Sequence, residues 1–167
     1  MSSMFALAEQ IESSSIGVAI AESRFAYPIF EGVHLIGLAV SVGLIFITDL
    51  RLMGLILKRT SLDSVLRHLR PYVIGGFIAT FVSGGLLFWS SALRMLESPA
   101  FVFKLLFILL AGINACVFEL IVARRHAGAF AAPRLPRSFA YAGLASLSLW
   151  TLTIVCGRLI PYLPAWS

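Results

Sequence analysis

Charge is what this sequence has least of. Only 13% of its 167 residues are Asp, Glu, Lys or Arg, about half the share of an ordinary soluble domain. That shortage argues against a water-soluble globule, because the apolar residues, 59% of the chain, arrive in blocks too long for a soluble core. Cysteine is scarce as well. Cys116 and Cys156 both lie inside apolar blocks, where thiols act as small packing groups, so no disulfide framework is expected. Soluble-enzyme motifs are missing too: there is no Cys-x-x-Cys pair and no Ser-His-Asp order. The doublets Gly75-Gly76 and Gly84-Gly85 have no preceding strand that would make them a phosphate loop. No cleavable leader is expected, since residues 1–24 lack a basic start and carry Glu9, Glu12 and Glu22.

What the chain does have is a mean hydropathy of +0.95 and four apolar blocks. Each is near the 20 or so residues needed to cross about 30 Å of hydrocarbon. The expected fold is all-α: a four-transmembrane-helix bundle preceded by an N-terminal amphipathic interfacial helix. Residues 1–24 form the amphipathic segment and residues 25–167 the transmembrane domain. In the segment 4–22, Phe5, Ala8, Ile11, Ile16 and Ile20 fall loosely on one side, and Ser13 to Ser15 offer a break. The spans are read as 27–50, 72–93, 100–123 and 139–159. Pro28 suits the first turn of the first span. Residues 52–57 are expected to prolong that helix, residues 61–69 to form a capped helical lead-in, and Pro71 to sit in a turn before the second span.

The basic residues set orientation. A pI near 9.8 raises nucleic acid as a partner, but these residues lie between apolar blocks and not along one polar face, so the lipid bilayer is the expected partner. The first link holds Arg51, Lys58, Arg59, Arg67 and Arg70, together with Asp49. The last link, residues 124–137, holds Arg124, Arg125, Arg134 and Arg137. The opposite side has only Arg24, Arg94, Lys104 and Arg158. The positive-inside bias puts both links in the cytoplasm, and in a bacterial inner membrane both termini are then periplasmic. Tyr27, Trp89, Tyr162 and Trp166 form an aromatic belt at the outer level. The frequent small residues, among them Gly37, Ser41, Gly76, Ser83, Gly84 and Gly85, allow close helix packing.

Ionisable groups inside a membrane are costly, and four stand out as candidates: Glu31, His34, Lys104 and Arg158. Tyr27, Glu31, His34 and Ser41 share one face of the first span. Lys104, Ala111 and Asn114 share a face of the third, and Arg158 and Tyr162 are four apart in the fourth. Glu31, Lys104 and Arg158 can pair or snorkel. His34, about two turns into the hydrocarbon, cannot, and its imidazole is either a hydrogen-bonded core group or a metal ligand. Two cations and one carboxylate leave an excess positive charge, worth about 2.5–3.5 kcal/mol on insertion scales, which an anionic ligand would relieve. Haem b answers both needs, with iron on His34 and propionates on the cations. Glu31 or Arg158 could also set the imidazole tautomer. His68 and His126 fall in the links, too far in depth to act as a second axial ligand, and Met53 and Met95 carry no weight.

The segments Val33-His34-Leu35-Ile36-Gly37, Gly85-Leu86-Leu87 and Phe101-Val102-Phe103-Lys104 resemble those of small bacterial membrane proteins that include HemJ-type protoporphyrinogen oxidases and CopD-like domains. A closer likeness is to uncharacterised four-helix proteins with a Tyr-Pro start, a His-Leu-Ile-Gly centre, an Asp-Leu-Arg-Leu-x-Gly exit (Asp49 to Gly54) and a final Gly-Arg-Leu-Ile (Gly157 to Ile160). The HemJ-type resemblance implies His34 as haem ligand and Lys104 as an essential polar partner. Three functions follow as expectations. The first is a b-type haem protein exchanging electrons with quinone or a redox partner. The second is a noncatalytic subunit that scaffolds or oligomerises in a membrane complex. The third is a copper- or small-solute-handling protein, although copper usually recruits Met and Cys clusters and here those residues are scattered.

Overall fold

The computed structural model describes residues 3–124, 130 and 135–163. Among the described residues, seven α-helices follow in order: α1 (Ser3–Glu12), α2 (Ser15–Glu22), α3 (Ala26–Leu52), α4 (Leu62–Ser90), α5 (Ala92–Leu96), α6 (Pro99–Val117) and α7 (Arg137–Leu159), with a π-helical segment, Phe118–Ala123, continuing α6. Four helices are long and apolar enough to cross a membrane: α3, α4, α6 with its π segment, and α7. At 1.5 Å per residue, the 27 residues of α3 reach about 40 Å.

The ends of the helices follow local chemistry, and two of them correct the sequence reading. Helix α3 does not run on through residues 52–57. It stops at Leu52 because Gly54 takes a left-handed conformation (φ 71°). There the Gly54 N–H bonds the Arg51 carbonyl at 3.0 Å and the Leu55 N–H bonds the Leu50 carbonyl at 2.9 Å, the pairing of a glycine-capped helix end. Nor does Pro71 make a turn. Helix α4 starts at Leu62, with the Ser61 hydroxyl capping the Ser64 N–H at 3.3 Å, and passes through Pro71. Proline costs the Arg67 carbonyl its helical donor. That loss is bearable in the exposed first turns, where water can substitute. At the far end Ser91 leaves helical geometry (φ −152°, ψ 36°), separating α4 from the short α5. The N-terminal segment breaks at Ser13 and Ser14, and the Ser14 hydroxyl caps the new helix on Gly17 N–H at 3.3 Å.

The long helices form two hairpins, α3–α4 and α6–α7, joined by contact of α3 with α7. The α3–α4 seam is the tighter one. A Cβ added at Gly37 would come within 2.9 Å of the Gly76 carbonyl, and one at Gly76 within 2.9 Å of the Gly37 carbonyl, so the two backbones touch. Ser41 and Thr80 beside them return their hydroxyls to the carbonyls four residues earlier, Gly37 and Gly76, each at 2.8 Å. At one end of the bundle Leu52, Leu62 and Phe139 are packed with Phe118, Phe130 and Leu135, bringing both links together. At the other end α1 lies on α5 and α2 on α4. Trp89 Nε1 donates to Ser14 at 2.9 Å, and the Glu12 carboxylate accepts from Leu93 N–H at 2.9 Å. In these two helices Ala8, Gly17 and Ile20 are buried, whereas Ile16 is exposed.

Candidate functional site

His34 sits at the upper end of the tight seam. Its Nδ1 lies 2.9 Å from the Thr80 carbonyl oxygen and 3.4 Å from the Ser83 hydroxyl. A carbonyl only accepts, so Nδ1 carries a proton, and in the neutral ring Nε2 is the nitrogen with the lone pair. The Ser83 hydroxyl itself donates to Ala79 O. The ring can lie this close to α4 because residue 84 is glycine: a Cβ there would stand 2.8 Å from His34 Cε1. Gly85, one position on, faces open space, so only the first of the two glycines has the packing role expected of both.

The other sequence candidates are placed unevenly. Among the described residues, the Lys104 ammonium on α6 and the Glu31 carboxylate on α3 are charges near enough to act on the His34 ring. The Lys104 stem passes over Gly157 of α7, with Nζ 3.7 Å from where a Cβ would be. Glu31 is exposed. Arg158 is also exposed and stands over the Tyr162 ring, 5.4 Å from its centroid, so it is turned toward the segment that follows α7. The imidazole tautomer is set by the Thr80 carbonyl, a backbone group that side-chain counting does not find. His68 is exposed, with Nδ1 bound to Ser64 O at 2.7 Å. His126, Arg134 and Trp166 lie outside the described residues. Among the described residues no three His, Cys, Asp or Glu side chains gather as a metal site. Cys116 and Cys156 are free thiols.

A second polar region lies at the opposite end of α3, about 22 Å along the helix from His34 at 1.5 Å per residue. Asp49 and Arg51, assigned to the link by the sequence reading, are inside α3 and are among its most buried residues, at 3% and 1% exposure. Arg51 donates Nε and Nη2 to the Thr60 carbonyl at 3.1 and 2.9 Å, clasping the α3–α4 link. Asp49 faces Ser146 of α7, whose side chain hydrogen-bonds the carboxylate, while its Oδ2 is buried with no partner. The signal was available: Val42, Ile45, Asp49 and Leu52 keep a three- and four-residue spacing, which continues the inward stripe through Asp49.

Asp49 lines a cavity of about 430 Å³ between α4 and α6, floored by α3 and α7. Its aromatic wall is Phe77, Phe81, Phe118 and Trp150, and Thr48, Asn114 and Ser146 are polar residues of the same lining. Asn114 donates to the Ala142 carbonyl at 3.1 Å. Where the cavity meets the π segment, Arg70 and Glu119 form an exposed ion pair of 3.1 Å.

Four apolar helices in two hairpins, with buried polar groups at two depths, define a multi-pass membrane protein of the all-α class. Residues 7–163 match the model of a family of unknown function, DUF6644, and the chain belongs to that family. No curated protein and no solved structure matches it.

Proposed function

We propose that this is a b-type haem protein of the bacterial inner membrane, exchanging electrons with quinone or a partner redox protein. The observation that carries the reading is the anchoring of His34. A liganding imidazole needs one ring nitrogen fixed by an acceptor and the other left with its lone pair, and the Thr80 carbonyl at 2.9 Å provides that arrangement. The donor set fits the group. His34 would hold iron through Nε2, Lys104 would meet a propionate, and Arg158 and Glu31 would adjust the charge around it. Bound haem supplies a one-electron couple. The chain's own part is to orient the imidazole, balance the propionates and keep the site in an apolar bundle. The likeness to HemJ-type proteins points the same way.

The test is an absorption spectrum of protein purified from haem-replete cells. A Soret band present in the wild type and lost in His34→Ala is the expected result. A colourless, well-folded wild type ends the reading and leaves the noncatalytic subunit in its place. We place both links in the cytoplasm and both termini in the periplasm, on the Lys and Arg asymmetry. Reporter fusions after Arg59 and Gly128 should report cytoplasm, and one after Trp166 periplasm. A cytoplasmic C-terminus overturns the orientation.

A further inference from the structure

We propose that the cleft between α4 and α6 binds a hydrophobic organic ammonium ion, a ring-bearing amine in its protonated form, with Asp49 as the counter-ion. The cavity, about 430 Å³, is of the size that encloses small organic molecules. Its walls are mostly apolar, with the aromatic residues Phe77, Phe81, Phe118 and Trp150 in the lining, and aromatic rings attract organic cations.

Charge complementarity chooses among apolar occupants. Asp49 is 3% exposed, and its Oδ2 has no hydrogen-bond partner. Among the described residues no cation lies within ion-pair distance of it. The nearby basic groups are committed elsewhere: Arg51 to the Thr60 carbonyl, Arg67 to Asp63 and Arg70 to Glu119. Beyond the Ser146 hydroxyl, this buried carboxylate lacks a positive charge, and its Oδ2 lacks any N–H or O–H donor. A protonated amine brings both on one atom, and its rings occupy the space between the aromatic walls. A hydroxyl-bearing molecule, such as a quinol, brings the donor but not the charge. The Arg70–Glu119 pair is exposed, so parting it to admit a ligand costs little. This site is separate from the His34 reading, being on another part of α3 and tested without reference to colour.

The experiment is equilibrium dialysis of the full chain in lipid nanodiscs, against empty nanodiscs, with 1-naphthylmethylammonium and its neutral analogue 1-naphthylmethanol. The ammonium should bind saturably and about tenfold or more tighter than the alcohol. Asp49→Asn should erase that preference. Gly112→Phe, at a cavity-lining position where an added Cβ meets nothing within 4 Å, should fill the cleft and lose binding of the ammonium. It keeps the test alive if Asp49→Asn does not fold. Equal binding of the two probes, a preference that survives Asp49→Asn, ammonium binding undiminished in Gly112→Phe, or no saturable uptake above empty nanodiscs would overturn the proposal.

Discussion

Helix α4 meets its two neighbours in opposite ways. Toward α3 it presents Gly76, Thr80, Ser83 and Gly84, and the backbones come into contact. Toward α6 it presents Leu69, Val73, Phe77 and Phe81, and a cavity remains. Water does not drive helices together inside a bilayer, so contact depends on whether side chains let the backbones approach. Small residues that fold their hydroxyls back onto their own helix make a dry, close seam. Large rings hold the neighbouring helix at a distance and leave room. The seam is where an imidazole is fixed, and the gap is where a carboxylate lacks a partner.

Substitutions can break or sharpen that contrast. Gly76→Leu should have the largest effect. Its Cβ alone would come within 2.9 Å of the Gly37 carbonyl and the Ser41 N–H, and backbone cannot step aside as a side chain can. Overpacking should cost about 1–3 kcal/mol, read as a lower unfolding temperature in detergent; an unchanged value would mean that the seam is not tight. Gly84→Ala should cost less, about 1 kcal/mol, because the colliding group is the movable His34 ring and the loss is one hydrogen bond. The diagnostic reading is a shift of the His34 ring nitrogen resonances, with Gly85→Ala as a silent control. On the open side the sign should reverse. Gly112→Ala places its methyl in free space and should stabilise α6 by about 0.5–1 kcal/mol through helix propensity. If it destabilises, the cleft is closed in the membrane. Arg70→Ala should change stability least, by about 0.5 kcal/mol or less, since its partner Glu119 is exposed. A larger loss would show that the pair holds α4 to the π segment.

The four spans were legible because apolar length alone fixes them: α3, α6 with its π segment, and α7 begin and end within about three residues of the expected limits. The departures have local causes. Residues 52–57 are apolar enough to extend a helix, but Gly54 is free to take positive φ and ends it. Pro71 reads as a breaker, yet in the exposed first turns of α4 its missing donor is cheap to lose. At the candidate sites, spacing brought out His34 and Lys104, but not the backbone carbonyl of Thr80 that sets the ring, because an acceptor on the main chain leaves no residue type to notice. Asp49 was hidden by composition. Beside Arg51 it looks like one half of a solvated pair, and only its place in the stripe through Val42, Ile45 and Leu52 shows that it turns inward.

The clasp of Arg51 on Thr60 bears on how the chain is made. The α3–α4 hairpin is closed at its tip by bonds spanning nine residues and zipped along Gly37 and Gly76, so all of its own contacts are available once α4 has been synthesised. Low sequence separation favours early pairing, and domains and subdomains can assemble in the order of synthesis. This hairpin can therefore enter the bilayer already paired, its buried arginine satisfied from the start. The second hairpin meets that surface through the contact of α7 with α3.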